Sequence, residues 1–281
     1  MKGFIMRRLI LVFTALLSLT AFTQPVLADQ KDGGPWESFS FNLGGFTTTL
    51  NSDVQIGIEQ LGAGIVVDVE DALGLDSSTS VIRGGLMYRF GRSRRHRVDL
   101  SYSDFRRDAI KVLEKDIEIG DKTITVGESV RSEFNFSVIR GQYSYSFFQD
   151  DRMDFSAGIG LYVMPIELKL ETATERVADE ASIAPLPTLY LGGIFAITPK
   201  LFLTAGYGIL YLKIGDFTGA ILDSRLALEY HVWKHVGFGL GIDRLQVEIT
   251  AEDNNVYPGV DFIGNLTFNY TGILLYTKIY F

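Results

Sequence analysis

Much of this chain reads by twos. In LFLTAGYGILY, Leu201, Leu203, Ala205, Tyr207, Ile209 and Tyr211 fall on one face and Phe202, Thr204, Gly206 and Gly208 on the other. VGFGLGID sets Val236, Phe238, Leu240 and Ile242 against Gly237, Gly239, Gly241 and Asp243. FSAGIGLYV sets Phe155, Ala157, Ile159, Leu161 and Val163 against Ser156, Gly158, Gly160 and Tyr162. LDSRLALEY sets Leu222, Leu226, Leu228 and Tyr230 against Asp223, Arg225, Ala227 and Glu229. Successive side chains of a strand point to opposite faces, so each segment has one apolar side and one small or polar side. A soluble sandwich also alternates, with its apolar face inward. Here the opposing face is rich in Gly and Ser with single charges, which suits a crowded interior, and the apolar face is then the outer one.

Short turns are predicted at Gly91–His96, Gln149–Arg152, Thr198–Lys200 and Trp233–His235, alternating with long polar loops. They divide the chain into strands at Glu37–Leu50, Ser80–Phe90, Arg97–Lys115, Lys122–Phe148, Asp154–Leu170, Leu186–Ile197, Leu201–Phe217, Gly219–His231, Val236–Thr250 and Asp261–Phe281. The prediction is all-β: a transmembrane antiparallel up-and-down β-barrel of about ten strands, with a range of eight to twelve. A further hairpin within 51–72 would make twelve. Aromatics recur beside every short turn: Tyr88 and Phe90, then Tyr143, Tyr145 and Phe147, then Phe202, then Tyr230 and Trp233. Such girdles mark the two water–lipid interfaces of a membrane barrel. The alternation shifts phase near Met164-Pro165 and Asp243-Arg244, which reads as β-bulges; strand ends emerging from the membrane give the same pattern. Ser182–Pro199 is uncharged, but Pro185, Pro187 and the Gly192-Gly193 pair oppose a spanning helix.

The start of the chain breaks the pattern. Lys2, Arg7 and Arg8 precede the apolar run Leu9–Phe22, and Val26-Leu27-Ala28 suits a signal peptidase. Residues 1–28 are expected to be a secretory signal peptide, leaving 29–281 as the barrel domain. The formal charge of −8 argues against a nucleic-acid partner. The absence of cysteine removes disulfides and Cys-ligated zinc.

The last strand places Ile273, Leu275, Thr277, Ile279 and Phe281 on one face and Tyr276, Lys278 and Tyr280 on the other. A closing strand ends this way, because closure removes the edge that lipid cannot solvate. The ending, with Tyr276, Ile279 and Phe281, resembles the carboxy-terminal signal read by the barrel-assembly machinery. The whole of 29–281 resembles the small outer-membrane β-barrel proteins of Gram-negative bacteria. The segment DALGLDSSTSVIRGGLMYRFGRSRRHRVDLSYSDFRRD (Asp71–Asp108) is similar to a set of largely uncharacterised proteobacterial barrels. The resemblance implies the cell outer membrane as location. It implies periplasmic chaperones, the barrel-assembly machinery and outer-membrane lipid, including lipopolysaccharide, as partners.

The alternation turns Arg83, Arg89, Asp99, Arg140, Asp223, Arg225, Glu229 and Asp243 inward. Charges of both signs in one narrow lumen must pair or be hydrated. The expectation is a charge network that plugs the lumen, with a narrow hydrophilic path as the alternative. The outer loops are acidic: Asp68, Glu70 and Asp71; Glu114, Asp116, Glu118 and Asp121; Glu171, Glu175, Asp179 and Glu180; Glu252 and Asp253. They read as solvated loops or as ligands for bridging divalent cations. Arg106 and Arg107 read as lipid-phosphate contacts or as a hydrated strand end, and Val66–Leu75 as a short helix or a folded-over loop. His96, His231 and His235 all lie by short turns, and Ser224 is about 23 Å along the strand from His231 at ~3.3 Å per residue. No nucleophile motif, phosphate loop or metal spacing is present, so no enzyme and no cofactor is expected. The functional expectation is a barrel with a structural or envelope role and a largely plugged lumen. The alternatives are a narrow channel or transporter for small molecules and, more remotely, a lipid-modifying barrel enzyme.

Overall fold

A computed structural model describes residues 36–57, 67–119, 122–173, 176–215, 217–251 and 263–281. The expected signal peptide falls outside them, as do Asp121, Glu175, Glu252 and Asp253 of the acidic loops. Ten long strands run in chain order: β1 Phe39–Gly57, β2 Ser78–Phe90, β3 His96–Val112, β4 Ser129–Gln149, β5 Met153–Thr172, β6 Arg176–Thr198, β7 Leu201–Ile214, β8 Phe217–Trp233, β9 Val236–Ala251 and β10 Ile263–Tyr280. Each pairs antiparallel with the next, and β1 pairs with β10 from Ser40↔Tyr280 to Gly57↔Ile263, closing the ring.

The short turns fall where glycine and turn chemistry favour them. The Asp150 carboxylate accepts backbone N–H bonds from Arg152 and Met153, and the Thr198 hydroxyl accepts those of Lys200 and Leu201. The longer turn after β2 needs left-handed backbone at Gly91 (φ 83°) and Arg94 (φ 52°). Several expected boundaries are corrected. The strand expected over Lys122–Phe148 begins at Ser129, and Ile117–Ile119 and Lys122–Ile124 form a separate small hairpin. Residues expected to form the third loop instead continue the β5–β6 ladder, through Leu170↔Ala178 to Glu171↔Arg176. Of the further hairpin considered within 51–72, the described residues show Val67–Asp68 paired with Asp53 and Val54 of β1, residues 58–66 lie outside them, and the ring of described strands numbers ten. Val69–Leu73 forms a one-turn-and-a-half helix, α1.

The two apparent phase shifts are not bulges. The register passes unbroken through Met164↔Ala184 and Pro165↔Ile183 and through Arg225↔Asp243 and Ser224↔Arg244. Irregularities occur instead at Ser146/Phe148, Leu170/Glu171, Leu201/Phe202 and His231/Trp233. What changes at Asp243 is the solvent. Along β9 the outward residues Phe238, Leu240 and Ile242 give way to Arg244, Gln246 and Glu248. The inward Gly237, Gly239, Gly241 and Asp243 give way to buried Leu245, Val247 and Ile249. Along β5, outward Phe155, Ile159 and Leu161 are followed by Glu167 and Lys169, while Met164, Leu168 and Leu170 turn inward and are buried.

The barrel therefore has two tiers. Toward the short turns it is greasy outside and polar inside, the arrangement lipid demands. Toward the loops it is polar outside with an apolar core, the arrangement water demands. By the usual polarity of such barrels the short turns face the periplasm and the loops the exterior. Each spanning run of apolar outward residues is short, as with Ile139 to Phe147 on β4, and matches the ~9–11 tilted residues that cross a bilayer.

Candidate functional site

The lumen collects the buried chemistry of the described residues, and it is closed at successive levels. At the periplasmic mouth Trp36, just ahead of β1, turns in against Ala196 and Phe202. Its indole N–H donates to the Asp150 carbonyl (2.9 Å), its own carbonyl accepts from Arg94 Nη1 (3.3 Å), and the Arg89 guanidinium lies 5.8 Å from the ring centroid. Arg89 donates to Asp154 at 2.5 Å, so the stopper is tied to the wall.

Above it, Lys278 of β10 bridges two carboxylates, Glu37 at 2.5 Å and Glu229 at 2.6 Å, and the Tyr276 hydroxyl donates to Glu229 at 2.5 Å. Two glycines make room for Tyr276. A Cβ on Gly239 would lie 2.1 Å from its ring, and one on Gly44 would lie 2.5 Å from its Cβ. Burial alone would raise the Glu37 carboxyl; the adjacent Lys278 ammonium overrides this and lowers it from 4.5 to about 2. Glu37 precedes β1, at the periplasmic mouth. A carboxylate with a depressed folded-state value stabilises the fold above its unfolded value and loses that contribution as pH falls through the folded one. Glu37→Gln is therefore expected to lower the unfolding temperature of the detergent-solubilised barrel at pH 7, by a loss on the order of 3 kcal/mol. The gap between variant and wild type should shrink from pH 4.5 downward and close near pH 2. A gap that stays constant across that window would show Glu37 to be uncoupled from Lys278.

The middle of the lumen is a lattice of ion pairs between strands far apart in sequence. Asp243 accepts from Arg83 Nη1, Arg225 Nε and the Tyr270 hydroxyl, each at 2.7 Å. Asp223 accepts from Arg140 (2.9 Å) and from the Tyr162 hydroxyl (2.6 Å), and Arg140 also donates to Gln142. Arg97 makes two bonds to one oxygen of Asp99, at 3.0 and 2.6 Å. Six cations (Arg83, Arg89, Arg97, Arg140, Arg225, Lys278) meet six carboxylates (Glu37, Asp99, Asp154, Asp223, Glu229, Asp243), so the described lumen is neutral. A polar cavity of about 120 Å³ remains between Arg97, Asp99, Tyr190 and Glu229, room for a handful of waters.

The outer tier closes the lumen with rings. Phe105 lies 4.3 Å from Phe136, which lies 4.3 Å from Phe268, and Phe46 and Tyr270 complete the cluster. Helix α1 caps it with buried Val69 and Leu73. Its Glu70 pairs with Arg107 of β3 and accepts the Ser52 backbone N–H at 2.8 Å. Arg107 also donates to the Ser52 hydroxyl at 2.9 Å and lies over Phe134.

The eight residues singled out by alternation all point into the lumen: Arg83, Arg89, Asp99, Arg140, Asp223, Arg225, Glu229 and Asp243. Of the terminal three, Tyr276 is turned to the lumen, while Ile279 and Phe281 are exposed on the outer wall. Arg107, considered as a lipid-phosphate contact, is corrected: it faces inward and pairs with Glu70, because it shares the parity of Phe105. Arg106 faces out and pairs with Asp104. Sequence reasoning missed Arg97, Asp154, Glu37 and Trp36, and it left Lys278 out of the charge network although it set that residue on the inner face of the last strand. Parity along the strand would have given Arg97 and Asp154, two residues from Asp99 and Ser156. Nothing periodic marks Trp36. Ser224 and His231 lie on opposite faces of β8; His231 stacks on Tyr280 at 4.1 Å. Among the described residues no three His, Asp or Glu side chains gather as a metal site.

No protein-family model matches this chain, and no curated protein matches it. Solved structures do. The outer-membrane protease OmpT of Escherichia coli superimposes with a TM-score of 0.55 at 8% identity, covering 92% of this chain and 100% of that one. Ail, the attachment invasion locus protein of Yersinia pestis, matches at a TM-score of 0.38 and 12% identity, covering 88% and 100%. The toluene transporter TodX of P. putida matches at 0.34 and 10%, covering 87% and 90%. At these identities the likeness is one of fold, and only the first is close enough to use. Together with the apolar belt and the closed ring, it identifies the chain as having the fold of the Gram-negative outer-membrane β-barrels.

Proposed function

We infer that this protein is a closed barrel with a structural or envelope role, acting through the surfaces it presents rather than through its lumen. The carrying observation is the stack of closures along one axis: the Trp36 stopper, the neutral ion-pair lattice and the Phe105 cluster under α1. A solute passing through would have to break buried ion pairs, each costly because it leaves charges unpaired, and then cross a dry aromatic layer. The long, well-packed outer tier instead carries a polar sheet exterior and the loops beyond the membrane. Reconstituted into planar bilayers, the wild-type protein is expected to give no conductance steps above the lipid background, and liposomes containing it should not swell in small sugars. Stable steps, or sugar-dependent swelling, would overturn this reading in favour of a channel.

A further inference from the structure

The cavity of about 120 Å³ inside the ion-pair lattice has an uneven wall. Five of the six lattice cations line it, all but Arg89. Only three of the six carboxylates do: Glu37, Asp99 and Glu229. Asp223 and Asp243, which pair with Arg140, Arg83 and Arg225, lie outside the lining, as does Asp154. A lumen that is neutral as a whole thus encloses a space whose own wall carries five positive groups against three negative ones.

The hydrogen bonds are uneven in the same direction. The acceptors are used up: Glu229 takes Tyr276 on one oxygen and Lys278 on the other, Glu37 takes Lys278, and Asp99 takes Arg97 on Oδ1 while its Oδ2 is buried in the wall. The donors are not. Arg225 bonds through Nε alone, to Asp243, and Arg97 through Nε and Nη2, to Asp99. Among the described residues the Nη1 of each has no partner. The Arg97 and Arg225 side chains are 19% and 27% exposed in a lumen shut at both ends, so the space they are exposed to is this cavity. The Tyr190 hydroxyl is a third donor without a partner. It lies 3.1 Å from where a Cβ on Gly206 would stand, and Gly206 is the register partner of Arg225.

We propose that this cavity is a binding site for a small inorganic anion of the size of chloride, held by Arg97, Arg225 and Tyr190. Guanidinium N–H groups facing a closed space need an acceptor, and a charged acceptor makes the stronger bond. Water would fill the donors but leave the wall's positive excess in a low-dielectric interior, where an uncompensated charge is costly. The volume holds one such ion with a few waters around it. The ion is held and not passed, since the Trp36 stopper and the Phe105 cluster close the lumen on either side. It acts as the missing counter-charge of the plug.

Bromide, which scatters anomalously, is the probe. The full chain is refolded in detergent with sodium bromide as the only added salt and crystallised from it. An anomalous peak is expected in the lumen against Arg97 and Arg225. Asn42 lines the same cavity, and Asn42→Asp sets a carboxylate there without a change of shape. In that variant the lumen peak should vanish, because the wall has received its counter-charge, and the unfolding temperature should stay within about 3 °C of wild type. Asn42→Ala, which removes the amide and adds no charge, should keep the peak. Crystals without a lumen peak, with bromide at the surface as an adventitious ion only, overturn the proposal. So does a peak that persists in Asn42→Asp. An Asn42→Asp chain that does not fold, or unfolds about 10 °C or more below Asn42→Ala, also overturns it, since a wall without positive excess would reject a further carboxylate. Conductance in planar bilayers is a separate measurement, so an open lumen and an empty site are told apart.

Discussion

Asp243→Asn is expected to destabilise the barrel by roughly 3–5 kcal/mol, the range for removing one member of a buried charge cluster. Asp243 is 0% exposed and is the common acceptor for Arg83, Arg225 and Tyr270. Asparagine keeps the shape and still accepts the Tyr270 bond, so the loss isolates the charge: two guanidinium groups would be left in the lumen with no neutralising carboxylate. The temperature at which the folded band gives way to the unfolded band on gels, or thermal unfolding followed by circular dichroism in detergent, reports the change. Asp104→Asn supplies the control, since its partner Arg106 has a side chain 80% exposed on the outer wall, and exposed pairs contribute ~0–1 kcal/mol. If Asp243→Asn unfolds at the same temperature as Asp104→Asn, the lattice is not an energetic unit.

The second large effect lies in the outer tier. Phe105→Ala should cost about 3–5 kcal/mol, the usual result of emptying a fully packed phenylalanine site. Phe105 is 0% exposed and its ring meets Phe136, Phe46, Tyr270 and Phe268 at centroid distances of 4.3, 5.7, 5.4 and 6.1 Å. This cluster stands beyond the apolar belt, where the wall outside is polar and only the inside can be dry. Ile110→Ala on the same strand, 71% exposed, should stay within ~0.5 kcal/mol of wild type. Equal stabilities for the two variants would mean that the outer tier has no folded core. Phe105→Ala removes no member of the ion-pair lattice below, to which it is linked through Tyr270 and its bond to Asp243, so the lumen of that variant should remain closed to ions.

The two predictions address parts of the molecule that were unequally visible in the sequence. The membrane tier was legible because its rule is local. Phe238, Leu240 and Ile242 against Gly239, Gly241 and Asp243 identify the wall and the lumen without reference to any other strand. The short turns were legible for the same reason, through Asp150, Thr198 and Gly91. The outer tier was misread at Met164-Pro165 and Arg244, because a reversal of apolar face looks like a one-residue slip. The slip and the reversal have the same period; they differ only in whether the neighbouring strand keeps register. Loop lengths failed at β5 and β6 because a charged stretch such as Arg176–Glu180 is equally compatible with a loop and with a water-facing strand.

The sequence alone determined the class of wall, a count of about ten crossings, the inward parity of the charges and the closing role of the last strand, since each follows from the two-residue repeat of a strand and the chemistry of its turns. Only the tertiary structure decided which charges meet. Arg83 and Asp243 are 160 positions apart, and Arg140 and Asp223 are 83. Their meeting depends on how the ring closes and how far each strand is staggered against the next, and these are properties of the whole sheet. The same closure brings Trp36 under the lumen and lays α1 on the Phe105 cluster, because neither segment has a repeat of its own to fix its place.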